Sequence, residues 1–160
     1  MSDPLLAFKL VLIFGLTLWM TVVVINNTTA FRGGVASIGM LMGMQLFDQQ
    51  PAIKTPLLSR RVTSVQWHRL VYAFVLLVEI AVALLFWQAS ISFGRALWGG
   101  FEASAAVASA TLALAALAAM VFVLALGGSW FVYYLRQEGT QITHFALLAV
   151  AIGATLVVNL

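Results

Sequence analysis

Residues 71–87 read VYAFVLLVEIAVALLFW, and Glu79 is the single charged side chain in this apolar stretch. Three further uncharged apolar runs occupy residues 10–25, 103–128 and 142–160. A hydrocarbon core about 30 Å thick takes roughly 20 helical residues to cross, and the backbone inside it must form its hydrogen bonds within the segment. The apolar positions are continuous rather than alternating, which excludes a membrane β-barrel. We therefore expect an all-α membrane protein, a bundle of four transmembrane helices.

The composition leaves room for this bundle and for little else. Of the 160 residues, 63% are hydrophobic and 8% charged, whereas a typical soluble domain has roughly 25% charged residues. We predict one integral membrane domain, residues 1–160, with helices at about 4–27, 65–89, 101–130 and 142–160. The basic residues behind the net charge of +3 lie in the connections, so the lipid bilayer is an expected partner and nucleic acid is not. Cysteine is absent, which excludes disulfides and thiolate chemistry.

The first connection, residues 28–64, is long and not plainly polar. Its middle, residues 35–47, reads VASIGMLMGMQLF, which is too short to span a bilayer and too apolar for a solvated loop. An interfacial or re-entrant helix is expected there. Gly94 and Gly99 predict a turn after the second helix.

The distribution of basic residues predicts the orientation. With four spans, the first and third connections lie on one side of the membrane, and that side has six of the eight basic residues: Arg32, Lys54, Arg60, Arg61, Arg69 and Arg136. The other side has Lys9 and Arg95. The positive-inside rule then makes those connections cytoplasmic and places both termini in the periplasm.

Glu79 is the first candidate for a functional residue, because an ionisable side chain within a span is costly and is a functional hypothesis by default. The functional interpretation is a proton relay, an ion site or a polar contact to a ligand head group. The structural interpretation is a carboxyl group that bonds to a hydroxyl of a neighbouring helix, such as Thr17, Thr21 or Ser109.

His68, Tyr72 and Glu79 share one face of the second helix, because their spacings of 4 and 11 residues stay within a narrow arc. Such a polar stripe is typical of a path, a quinone pocket or a contact with another subunit. It is equally typical of an interior seam of the bundle.

Two histidines raise the possibility of a haem. His68 and His144 both lie near helix starts, and the topology places them on the same side at similar depth, so they are candidate axial ligands of a b-type haem. The alternative is that each is an interfacial residue.

Met40, Met42 and Met44 suit Cu(I) as ligands, but we expect them to supply apolar surface, and no metal site is predicted. No nucleophile with its base and no paired carboxylates are present, so the chain is not expected to be an enzyme.

Small residues recur four apart in the third helix, for example Ala105, Ser109 and Ala113, or Ala106 and Ala110. Rows of this kind let helix backbones approach closely in lipid. They predict packing within this chain or, alternatively, a face for self-association.

Three ordered blocks of the chain resemble a bacterial family of predicted small integral membrane proteins with no assigned function. The blocks are Asn26-Asn27, then R-x-T-S from Arg61 with His68, Tyr72 and Glu79, then G-G-x-W-F ending after Trp130. The resemblance implies a four-helix fold in the bacterial inner membrane, and it marks all seven named residues as positions to examine. Ser129 stands where the family often has an acidic residue.

Two functions from different classes follow. The first is a non-catalytic accessory or stabilising subunit of a larger bacterial membrane complex, respiratory or photosynthetic, because almost all of the mass lies in the membrane. The second is a small binding or transport unit that handles a proton, a quinone or a haem through His68, Tyr72 and Glu79.

Overall fold

The computed structural model describes residues 3–160, and within that range it is helical with no β-strand. The five α-helices of this part of the chain are α1 (Asp3–Thr29), α2 (Phe31–Met42), α3 (Val65–Leu97), α4 (Ala103–Trp130) and α5 (Glu138–Val158). All but α2 are long and apolar enough to cross a membrane. The predicted all-α architecture with four spans is therefore confirmed.

The four long helices pack in the order α1, α3, α4, α5, and each runs antiparallel to the next, with only slight contact between α1 and α5. The core lies along α3 and α4, where Phe86, Leu114 and Leu117 are fully buried. Ala106 and Ala110 are also fully buried. The row with Ala106 and Ala110 therefore packs within this chain, whereas Ala105 and Ser109 are only half-buried, and a self-association face stays a prediction.

Two helix ends differ from the prediction. The second predicted span does not end at 89, because α3 continues to Leu97 with Gly94 inside it. A lone glycine costs a helix only about 1 kcal/mol relative to alanine, and no proline follows to stop it. The chain turns at Gly99, whose φ of +77° is accessible to glycine without strain. The last helix begins at Glu138 rather than 142, so its polar first turn is helical too.

The first connection contains α2, which follows α1 after the single residue Ala30. Because α2 keeps the direction of α1, it packs along the first turns of α3: Gly34 lies against Tyr72, and Gly39 lies against His68. Both the interfacial and the re-entrant placement of residues 35–47 stay predictions.

The first and third connections meet at the same end of the bundle. Met44, Phe47 and Val132 form a small buried apolar cluster there. The Arg136 guanidinium donates hydrogen bonds to backbone carbonyls of the first connection, including that of Pro51. The two connections therefore form one polar cap over the ends of α3 and α4.

Candidate functional site

The three polar residues of α3 lie in the seam between α3 and the α1–α2 pair. His68, Tyr72 and Glu79 are exposed by only 6%, 7% and 7%. Each of them contacts a residue of α1, α2 or the first connection. The arrangement supports the interior-seam interpretation of the stripe.

Glu79 binds Asn27, and not a hydroxyl group. The amide Nδ2 of Asn27 donates to both carboxylate oxygens, at 2.9 Å to Oε1 and 2.7 Å to Oε2. The expected partners Thr17, Thr21 and Ser109 were therefore wrong. Antiparallel packing of α1 on α3 brings residue 27 level with residue 79, whereas the two threonines lie further along α1, toward its N-terminus.

The two threonines have partners of their own deeper in the same seam. Thr17 Oγ1 lies 2.7 Å from the hydroxyl of Ser90, and both residues are buried. Thr21 Oγ1 accepts a hydrogen bond of 3.0 Å from the indole nitrogen of Trp87. Both bonds join polar groups of α1 and α3; the first is buried and the second lies at the exposed edge of the seam.

Tyr72 connects the carboxylate site to the end of α1. Its hydroxyl donates to the backbone carbonyl of Asn27 at 3.0 Å. This carbonyl is one of the last four of α1, which need hydrogen-bond partners from outside the helix. The ring packs edge-on against Phe31, with centroids 5.1 Å apart, and lies directly on Gly34. Asn27 thus has contacts through its side chain and its backbone to two residues of α3.

His68 is held by one hydrogen bond and by close packing of its ring on α2. Nε2 lies 2.8 Å from the carbonyl oxygen of Val62, and Nδ1 lies over Gly39, where an added Cβ would come within 2.8 Å of it. The geometry favours a role for His68 in attaching the first connection to α3.

His144 lies elsewhere, on α5. Its Nδ1 is 3.1 Å from the hydroxyl of Tyr133, and that hydroxyl also donates to the carbonyl of Leu124 at 3.2 Å. Both rings, with Thr140, line a largely apolar cavity of about 300 Å3 between α2, α3, α4 and α5. In the described range no hydrogen bond or ring contact joins His144 to His68, and a haem between them stays a prediction.

The remaining candidates lie in the polar cap or on the surface of α1. Arg61 forms an ion pair of 2.7 Å with Asp48. The exposed ring of Trp130 lies under the guanidinium of Arg60, 4.4 Å from the ring centroid, and Arg60 also donates to the Trp130 carbonyl at 3.1 Å. Asn26 is exposed on α1, away from the seam. The seven candidates therefore do not form one site.

Sequence reasoning missed the residues that let α2 pack tightly on α3 and those that join the two connections. Gly34 and Gly39 leave the space into which the Tyr72 and His68 rings fit, and Arg60 and Arg136 hold the two connections together. Two glycines in a short apolar helix were a visible signal of close approach. The arginine contacts had no signal, since their acceptors are backbone carbonyls far along the chain.

The chemistry available around the stripe of His68, Tyr72 and Glu79 is limited to one carboxyl group, one amide, one phenol and one imidazole. Among residues 3–160 no group of three or more His, Asp or Glu side chains is placed to hold a metal ion. The carboxylate of Glu79 is not adjacent to a second acid, so general acid–base chemistry with a carboxylate pair is not available there.

The chain belongs to the family described as predicted small integral membrane protein (DUF2165), whose model matches residues 5–160. No curated protein and no solved structure matches it. The family assignment agrees with the resemblance drawn from the three sequence blocks.

Proposed function

From membership of this family of small integral membrane proteins, we propose that the chain is a non-catalytic accessory subunit that docks sideways on a helix of a larger membrane assembly. The observation that carries the proposal is Asn26, an exposed amide in the last turn of α1 that lies level with the middle of α3. The polar seam supports the same role, because its groups bind one another and stabilise the packing of α1 on α3.

The depth of Asn26 follows from its neighbour Asn27, which contacts Glu79. By helical rise Glu79 lies about 15 Å along α3 from Arg69 and about 24 Å from Arg95. Because these two exposed arginines belong near the opposite membrane surfaces, the Asn26 level falls within the hydrocarbon core.

An exposed amide at this depth faces acyl chains that offer no hydrogen bond. Within the described chain the Asn26 side chain has no hydrogen bond, and burial of an unpaired amide in an apolar medium costs about 1–3 kcal/mol on protein scales. Hydrogen bonds of Ser, Thr, Asn or Gln across membrane helices are the usual partners of such a group. The expected partner is therefore a transmembrane helix with a polar side chain at mid-depth.

The test is the mass and composition of the native assembly after extraction in a mild detergent. We expect co-purification with other membrane subunits at fixed stoichiometry, and we expect Asn26→Leu to release the chain from them. Thr28→Val, which changes an exposed side chain two residues along and on the opposite face of the same helix, is the matched control and should leave the assembly intact. A monomer in the wild type would overturn the proposal, and a homo-oligomer would replace the foreign partner with a second copy.

A second candidate, a proton-handling unit, is favoured by one observation: the carboxyl group of Glu79 is buried at mid-span with Asn27 as its hydrogen-bond partner. An amide can donate to a carboxylate or, after rotation by 180°, accept from a carboxylic acid. The pair can therefore accommodate both protonation states. Proton flux into vesicles that contain the purified chain should fall with Glu79→Gln, and equal flux in wild type and variant would remove this candidate.

A further inference from the structure

A basic cleft opens on the surface where α2 meets the first turns of α3. Its volume is about 260 Å3, and it is lined by Phe31, Arg32, Val35, Val65 and Arg69. One guanidinium comes from each helix, and both arginines are exposed. The other three lining residues are apolar.

The two positive charges of the cleft have no counter-charge in the described part of the chain. Neither Arg32 nor Arg69 forms a hydrogen bond or ion pair with residues 3–160. The nearest acids along the chain are already bound, Asp48 to Arg61 and Glu79 to Asn27. Two like charges on one cleft repel each other, so an anion between them would stabilise the arrangement.

The depth of the cleft indicates where that anion comes from. Arg69 lies in the second turn of α3, at the same end of the bundle as the first and third connections. Trp67, exposed by 59%, lies two residues before Arg69, and tryptophan is enriched at the level of lipid head groups. The cleft therefore opens toward the head-group level at this end of the bundle.

We propose that this cleft, named here the Arg32–Arg69 cleft, binds the head group of an anionic phospholipid. Arginine presents paired N–H donors that match phosphate oxygens. The apolar residues Phe31, Val35 and Val65 lie against the glycerol and upper acyl region of the same lipid. Basic pockets between transmembrane helices are a known form of anionic lipid site. The inference does not depend on the accessory role.

The experiment measures the thermal unfolding of the purified full chain in a neutral detergent. The probes are short-chain phosphatidylglycerol, short-chain phosphatidylcholine and inorganic phosphate. We expect phosphatidylglycerol alone to raise the unfolding temperature, and the double variant Arg32→Gln, Arg69→Gln to require at least about tenfold more lipid for the same shift. Arg95→Gln, at the opposite membrane surface, is the matched control and should respond as the wild type does.

Three outcomes would overturn the inference. An equal shift with phosphatidylcholine would show that the acyl chains, and not the charge, are recognised. An equal shift with inorganic phosphate would show a site for a free anion. An unchanged response of the double variant would place lipid binding elsewhere. As a control, circular dichroism of that variant verifies that the exposed substitutions leave the helices folded.

Discussion

At the scale of single residues, the hydrogen bonds from Asn27 satisfy the Glu79 carboxyl group within a membrane helix. Both carboxylate oxygens are occupied by one amide, at 2.9 and 2.7 Å. The Tyr72 hydroxyl holds the backbone of that same asparagine at 3.0 Å. The side chain that binds the acid is therefore itself held in place, which reduces the entropy lost when the bond forms.

Removal of the Asn27 amide alone is expected to destabilise the protein more than removal of both the amide and the Glu79 carboxyl group. Asn27→Leu leaves the buried carboxyl unpaired and should lower the free energy of unfolding by about 1–3 kcal/mol. The double variant Asn27→Leu, Glu79→Leu should recover most of that loss, because no polar group is left without a partner. Unfolding in mixed micelles measures both, and additive losses would contradict a coupled pair.

The buried phenol of Tyr133 should make the stability of the protein depend on pH at alkaline values. Burial raises the pKa of the Tyr133 phenol from 10.0 to about 12. Below pH 10 both the folded and the unfolded states keep the proton. Between pH 10 and pH 12 the unfolded state releases it while the folded state retains it, so stability falls as pH rises. Unfolding temperature measured across this range should decline less steeply in Tyr133→Phe than in the wild type.

The phenylalanine variant also loses the contacts to His144 and Leu124, so it should be less stable at neutral pH. Tyr134→Phe, at an exposed position, is the matched control. Parallel pH curves for the wild type and Tyr133→Phe would show that the phenol does not contribute in this range.

At the scale of the elements, α2 acts as an extension of α1 that covers the polar face of α3. The contact depends on glycine, because the Tyr72 and His68 rings lie where side chains of α2 would otherwise be. Antiparallel packing continues from Thr17 near Ser90 to Met42 near Val62. A single seam therefore joins the first connection and the first span to the whole of α3.

Two neighbouring glycines of α2 give a matched test of this seam. A Cβ at residue 34 would overlap the Tyr72 ring, whereas a Cβ at residue 33 would have nothing within 4 Å. Gly34→Ala should lower the free energy of unfolding by about 1–3 kcal/mol through overpacking. Gly33→Ala should leave it unchanged or raise it by up to about 1 kcal/mol through helix propensity. Equal effects of the two substitutions in mixed-micelle unfolding would argue against close packing of α2 on α3.

At the scale of the whole molecule, the polar residues concentrate at one end of the bundle. The first and third connections share an apolar cluster and hydrogen bonds, and the Arg32–Arg69 cleft lies beside them. The remaining surface of the four long helices is largely apolar, as expected where acyl chains are the solvent. One end of the bundle therefore contains the two packed connections, and the other contains the short turn between α3 and α4 with the first residues of α1 and the last residues of α5.

The absence of cysteine allows the orientation to be measured with single introduced thiols. Ser59→Cys and Gly139→Cys should react from the same side of the membrane, and Glu102→Cys should react from the opposite side. The positive-inside rule predicts that the first pair is cytoplasmic. An impermeant thiol reagent on intact cells distinguishes the sides, and the cysteine-free wild type is the control. Labelling of Ser59→Cys from outside would reverse the predicted orientation.

The sequence by itself determined the class and the number of spans, because hydrocarbon admits only segments that satisfy their own backbone. It also identified His68, Tyr72 and Glu79 as one face, since helical periodicity is local. Only the tertiary structure decided that Asn27 binds Glu79, across 52 residues, and that α3 extends to Leu97. The level at which two helices meet depends on how their side chains pack along the entire contact, and no local pattern records that level.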